Sequence, residues 1–400
     1  MISNLHNLNY FEKIIKNRGS YIVFGGPGTG KTLFLKELVV FLTENQNIDP
    51  KQILVLTFNR KSSKYLRDEI AIKAGRTVPE IEIKTFYSLC LDIFKDYISG
   101  IGLNRINGHE NKSRNISFRE KNLIEDIFTN NLNEIKILTA PEQWNLLTDI
   151  ILEADKKKIS GIRKLFSNKN TIENILQEIF DYILRAQENL RNPAELFDKF
   201  NPYTNKILYE INTIYSDFNN ILEEKKVFNY GKLMIDALAI IKSDNDLRQY
   251  YRKRYKFILV DELQELNFAQ YSLLKELSDN NIIYFGDDDQ SVYKFRGSNI
   301  NIFFKVFDRI PPERKIFLNI NYRNSFPILK IIENFISKNS LRINKNYSQN
   351  TQENIKSANR PYKNKGEIIL KSFENRYGEL NFIKNRIILL KKFNSPYLFS

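Results

Sequence analysis

Four hundred residues carry one cysteine, Cys90, and two histidines, His6 and His109. A lone cysteine excludes a disulfide framework and a thiolate metal cluster, and two histidines exclude a histidine-rich metal site. No apolar run approaches the ~18 residues that a membrane span requires. The N-terminus places Asn and His where a secretory signal needs an apolar core. A cytoplasmic chain with no membrane partner is the expectation. Internal repeats and low-complexity tracts are also missing.

The bulk composition is ordinary: 42% hydrophobic and 27% charged residues suit soluble globular domains, and the length suits about two or three of them. The departure lies in the sign of the charge. Lys and Arg number 61 against 47 Asp and Glu, and the resulting +14 favours a polyanionic partner such as nucleic acid. A chain rich in Asn, Ile and Lys throughout would show the same excess without one.

The chemistry begins at Gly25-Gly26-Pro27-Gly28-Thr29-Gly30-Lys31-Thr32. The apolar run Tyr21–Phe24 precedes it and an amphipathic segment, Leu33–Leu42, follows. Strand, glycine-rich turn and helix together make G-x-x-x-x-G-K-[ST] a phosphate cradle; without them it is a turn joining two elements. Glycines let successive backbone N–H groups turn inward at a helix N-terminus, where anions are favoured. Lys31 is placed to reach the β/γ-phosphates and Thr32 to ligate Mg²⁺, so ATP with Mg²⁺ is the expected ligand pair.

Short apolar runs then alternate with helical periodicity. Ile53–Leu56, Ile81–Tyr87, Phe257–Val260, Ile282–Phe285 and Ile316–Leu318 read as strands. This alternation predicts a doubly wound α/β fold with a parallel sheet. From about residue 91 to 226 strand signals vanish, and a helical insertion with a basic surface is expected. Residues 340–366, rich in Asn, Lys and Ser, read as an exposed loop.

Polar clusters follow the strands, where ligands sit in open parallel sheets. Asp261-Glu262 forms a Walker-B-like pair, one carboxylate for the Mg²⁺ shell and one to deprotonate an attacking water; alone, such a pair is often just a helix cap. Gln290 can sense a γ-phosphate without adding charge. Arg323 can supply a guanidinium to the transition state, and Tyr322 can stack on adenine or simply pack in a core. Thr57, Phe58, Arg60, Thr85, Phe86, Tyr293, Phe295 and Arg296 mix aromatic, basic and hydroxyl groups just past strand ends, a combination suited to single-stranded nucleic acid. Any one of these aromatics, taken singly, is more often core.

The set resembles the UvrD/Rep-type superfamily 1A DNA helicases. Gly25–Thr32 resembles motif I, Leu56–Lys61 motif Ia, Thr85-Phe86-Tyr87-Ser88 motif Ib, and Val260–Glu265 motif II. Gly286-Asp287-Asp288-Asp289-Gln290 through Gly297 is similar to motif III, Asn321-Tyr322-Arg323 to motif IV, and Val227–Tyr230 to the segment preceding motif II. The resemblance implies a RecA-like P-loop NTPase domain over residues 1–90 and 227–310, a helical insertion over 91–226, and a partial second RecA-like domain over 311–400. It implies an ATP-dependent 3′–5′ translocase on single-stranded DNA or DNA junctions. Lys31, Thr32, Asp261, Glu262, Gln290 and Arg323 would carry hydrolysis, and Phe58, Phe86, Tyr293 and Phe295 would line the DNA track.

The chain departs from that pattern in places. The glutamine that reads adenine has no evident counterpart; Asn9 or Glu12 stands near its position. Nothing resembles motifs V and VI, so a second polypeptide supplying them is one expectation. A non-translocating ATP- and DNA-binding module is the competing one. A small-molecule kinase would need a substrate pocket and lid in place of the strand-end aromatics.

Overall fold

Apolar runs of four or five residues become the inner strands, buried on both faces as a sheet covered by helices on each side requires, whereas the two edge strands carry polar residues and are only partly buried. The computed structural model describes residues 5–74, 81–100, 135–154, 159–165, 169–197, 199, 203, 205–291, 299–324, 326–343, 345 and 369–392. Helix α1 (Leu5–Lys16) leads into β1 (Tyr21–Phe24), then α2 (Lys31–Val40), β2 (Ile53–Thr57), α3 (Arg60–Ala74), β3 (Glu82–Thr85) and α4 (Phe86–Ile98). The helical stretch holds α5 (Ala140–Glu153), α6 (Ser160–Leu165), α7 (Lys169–Glu188), α8 (Pro193–Phe197) and α9 (Lys206–Glu224). After α10 (Tyr230–Ser243) and α11 (Asn245–Arg254) come β4 (Phe257–Val260), α12 (Phe268–Leu277), β5 (Ile282–Gly286), α13 (Ile300–Arg309) and β6 (Lys315–Phe317). Helices α14 (Phe326–Ile336) and α15 (Arg376–Lys392) complete the described elements.

The strands form one parallel sheet in the order β3-β2-β4-β5-β1-β6. Side chains alternate across it with period two. Ile22, Phe24, Leu54, Leu56, Ile258 and Val260 join the core under α4, α10 and α12. Tyr21, Val23, Ile53, Val55, Leu259 and Ile283 join the opposite core under α1, α2 and α3. The helical stretch has a third core of its own, built on Leu147, Ile179, Ile214 and Phe218. The order sets the carboxyl ends of β4, β5 and β1 side by side.

Three expectations change. The strand expected over Ile81–Tyr87 ends at Thr85, whose side chain accepts from Ser88 N and caps α4, so Phe86 and Tyr87 are helical. Lys315–Phe317, assigned above to residues 311–400, pairs with β1 and so belongs to the first sheet. The chain divides into two compact units, residues 1–321 with 341–346, and residues 322–340 with 347–400. Within the stretch expected to be an exposed loop, residues 341–346 belong to the first unit, where Lys345 is buried although Leu341 is exposed; residues 344 and 346–366 lie outside the described residues.

Candidate nucleotide-binding and catalytic site

The turn after β1 is built as its glycines allow. Gly28 and Gly30 have φ of 80° and 93°, the left-handed region that costs a side-chain-bearing residue most. A Cβ on Gly25 would press on Thr29 Oγ1 and on the Leu318 carbonyl. Thr29 Oγ1 donates to Gly26 O (2.8 Å) and closes the turn. Lys31, 8% exposed, donates from Nζ to Gly25 O (2.7 Å) and Gly26 O (3.2 Å). Burial lowers its pKa, while Asp287, Glu262 and Asp261 pull the other way. A buried ammonium bonded to main-chain carbonyls, in a turn rich in N–H groups, fits a polyphosphate.

Asp261 and Glu262 follow β4. Burial, then the Glu262 charge, raises the Asp261 carboxyl well above the usual carboxylate range. Glu262 sits at φ 55°, ψ 54°, left-handed backbone for a residue with a Cβ. Such strain, about 1–3 kcal/mol, persists only where surrounding contacts over-determine it. One such contact is Gln264, whose Nε2 donates to Glu262 Oε2 (2.5 Å) while its Oε1 accepts from Asp287 N (3.0 Å). That buried amide joins the ends of β4 and β5.

Past β5, Gln290 Nε2 donates to Asp287 Oδ2 (2.7 Å), setting the amide beside the carboxylate that acts on Lys31. Asp287, Asp288 and Asp289 crowd their oxygens as a cation site would. The cation present is an ammonium. Lys345 Nζ ion-pairs with all three carboxylates, including Asp288 at 2.6 Å, and lies over the Phe24 ring. Arg342 grips Asp289 through Nη2 (2.7 Å) and Nε (3.1 Å), and Ile343 N donates to Asp288 Oδ2 (2.7 Å). Burial opposes the charge on Lys345, yet Asp287 and its neighbours hold its pKa above the ordinary value. Lys345 and Arg342 thus offset two of the triad's three charges from within. Thr32 and Asp261 remain the better candidates for Mg²⁺.

The structure brings together Lys31, Asp261, Glu262, Asp287 and Gln290. It adds Gln264, Lys345, Arg342 and Asn321, none of which received a role from sequence. Asn321 Nδ2 donates to Pro27 O (2.7 Å), tying the end of the first unit to the phosphate loop. Only Gln264 and Asn321 had a signal, a place inside a quoted motif. Tyr322 and Arg323 begin the second unit, Arg323 exposed. Asn9 and Glu12 are exposed on α1.

The expected nucleic-acid residues divide. Phe86, 3% exposed, belongs to the core and offers no face to a base, which corrects the expectation for it. Thr57 and Thr85 are buried too, and their hydroxyls are spent locally: Thr57 on Ser63 and the Asn59 carbonyl, Thr85 on the start of α4. Arg60 is exposed at the start of α3, and half-buried Phe58 lines a cavity of about 450 Å³ with Tyr87, Glu188, Tyr230 and Asn267. Tyr293, Phe295 and Arg296 lie outside the described residues.

The N-terminal-domain profile of the UvrD/REP helicases matches residues 8–311. The chain is 25% identical over 380 residues to the ATP-dependent DNA helicase PcrA of Bacillus subtilis, covering 94% of this chain and 44% of that protein. It is 26% identical over 372 residues to a probable DNA helicase II homologue of Mycoplasma capricolum, covering 92% and 44%. To the PcrA of Staphylococcus aureus it is 25% identical over 343 residues, covering 85% and 41%. The chain therefore spans less than half the length of these relatives.

Proposed function

Because this chain belongs to the UvrD/REP helicase family, we propose that it is an ATP-hydrolysing DNA motor that tracks along single-stranded DNA, 3′ to 5′ by resemblance. The observation that supports this most is the convergence of Asp261, Glu262 and Asp287 on the buried Lys31. Lys31, Asp261 and Glu262 each have a role in phosphoryl transfer to water. Lys31 would exchange the Gly25 and Gly26 carbonyls for β/γ-phosphate oxygens. Thr32 and Asp261 would hold Mg²⁺, which supplies charge neutralisation when bound. Glu262, steadied by Gln264, would take the proton of the attacking water, and Gln290 would orient beside the γ-phosphate.

Arg323 of the second unit would add a guanidinium to the transition state, and Tyr322 would stack on adenine. Phe58 and Arg60 would hold the strand, with Tyr293, Phe295 and Arg296 assigned to the same track. In this reading residues 1–90 and 227–321 form the first motor domain, 91–226 the insertion, and 322 onward the start of the second. Sequences like motifs V and VI, supplied by further polypeptide, would complete the coupling.

Steady-state ATP hydrolysis, with and without single-stranded DNA, tests the reading. Turnover that is lost in Lys31→Ala and responds to single strands supports it. ATP and DNA binding with neither turnover nor mutual effect would favour the non-translocating module instead.

A further inference from the structure

The amino ends of the strands carry a second feature. There, before β1, β5 and β6, an open basin of about 690 Å³ is lined by Arg18, Arg252, Lys275, Arg309 and Arg314. Asp279 is the one carboxylate among its described lining residues. Among the described residues, none of the five cations forms an ion pair. Elsewhere on the same unit cations are paired, as in Lys36–Glu69, Lys232–Asp236 and Arg254–Glu82. Even Glu276 turns its carboxylate to Arg248 (3.6 Å) and gives the basin only its carbonyl, which accepts from Arg252 Nε (2.8 Å).

Several of these cations are held in place. Arg314 Nη2 donates to Arg18 O (2.9 Å), and its guanidinium lies 5.9 Å from the Tyr21 ring centre. It passes directly over Gly19, where any Cβ would collide with it. Arg309 Nη1 donates to Tyr271 Oη (3.4 Å). Anchoring one edge of a guanidinium leaves its other N–H groups for a ligand at reduced entropic cost.

Five like charges gathered around a single carboxylate call for a polyanion, and arginine forks match the paired oxygens of phosphate. The tyrosines lining the basin, Tyr271 and Tyr284, are each 5% exposed, so no aromatic face is open for base stacking. A site with fixed cations and no stacking surface reads the backbone alone, and a duplex presents its backbone with the bases turned inward. We propose that this basin binds the phosphate backbone of double-stranded nucleic acid without regard to sequence. It lies at the opposite strand ends from the proposed single-strand track, and the choice of nucleic acid as the natural polyanion rests on the proposed function.

The test uses the full chain and the variant Arg18→Gln/Lys275→Gln/Arg309→Gln, whose three side chains are exposed. A labelled blunt DNA duplex is titrated by fluorescence anisotropy at several salt concentrations. Each phosphate contact contributes about 0.9 to the slope of log K on log salt. The variant should lose about 2–3 from that slope and about tenfold or more in low-salt affinity, with DNA-free ATP turnover unchanged. The single reversal Lys275→Glu should give a smaller loss of the same kind. Equal slopes in variant and parent would overturn the proposal. So would tripolyphosphate or polyglutamate displacing the duplex as effectively as unlabelled duplex at matched charge. Phe58→Ala should weaken single-strand binding and leave the duplex slope intact, so the two readings fail separately.

Discussion

At the scale of single residues, charge placement decides what the site can do. Glu262→Gln keeps the shape at the end of β4 and removes the proton acceptor. Turnover should fall by about 10²–10⁴-fold, with ATP binding retained in equilibrium titration; near-parental turnover would refute the assignment. Lys345→Met leaves three carboxylates facing one another without their ammonium. Losing one partner of a buried ion pair costs about 3–5 kcal/mol, which a lowered urea midpoint should report, and adding Asp288→Asn should recover part of it. The grouping of Lys31, Asp261 and Glu262 was legible because Asp261 and Glu262 directly follow β4 and Lys31 closes a glycine-rich pattern at the start of α2. Lys345 was not. It stands in a Lys- and Asn-rich stretch that reads as solvated, and its partner Asp287 lies 58 positions upstream, a pairing that no short-range pattern encodes.

Elements show the same division between local and distant information. Strands β1, β2, β4 and β5 could be read from their apolar runs because both faces are buried and every position is selected alike. The end of β3 could not, since Thr85-Phe86-Tyr87 suits a strand and a helix start equally; the capping hydroxyl decides. Thr85→Ala should cost about 1 kcal/mol, checked by urea denaturation, and unchanged stability would remove the cap from the account. Where α7 meets the α/β core, Glu188 carries a carboxyl that burial raises to about 7, against the opposing pull of Asn267 and Arg185. A folded-state pKa raised above the ordinary 4.5 means that the native state holds the proton more tightly. That stability is full below 4.5 and is lost as pH rises through 7. Glu188→Gln should flatten the pH dependence of the melting temperature across this window, and an unaltered profile would exclude Glu188 as its source.

For the whole molecule, the proposed single-strand track predicts binding that weakens steeply with salt, by about 0.7 in log–log slope per phosphate contacted. A flat salt response would argue against a backbone-tracking protein. The fold class and the order of motifs were legible here because each strand announces itself locally. The division into units was not: β6 and the stretch around Lys345 join the first unit through partners distant in sequence. That path has a mechanical consequence. The chain leaves the first unit after Asn321, returns around Leu341 to Lys345, and leaves again. Asn321 is fastened to the phosphate loop and Lys345 to the acidic triad. The second unit is thus joined to the first by three covalent passes rather than a single linker. Both fastenings lie within the first unit, one on the phosphate loop and one on the turn after β5.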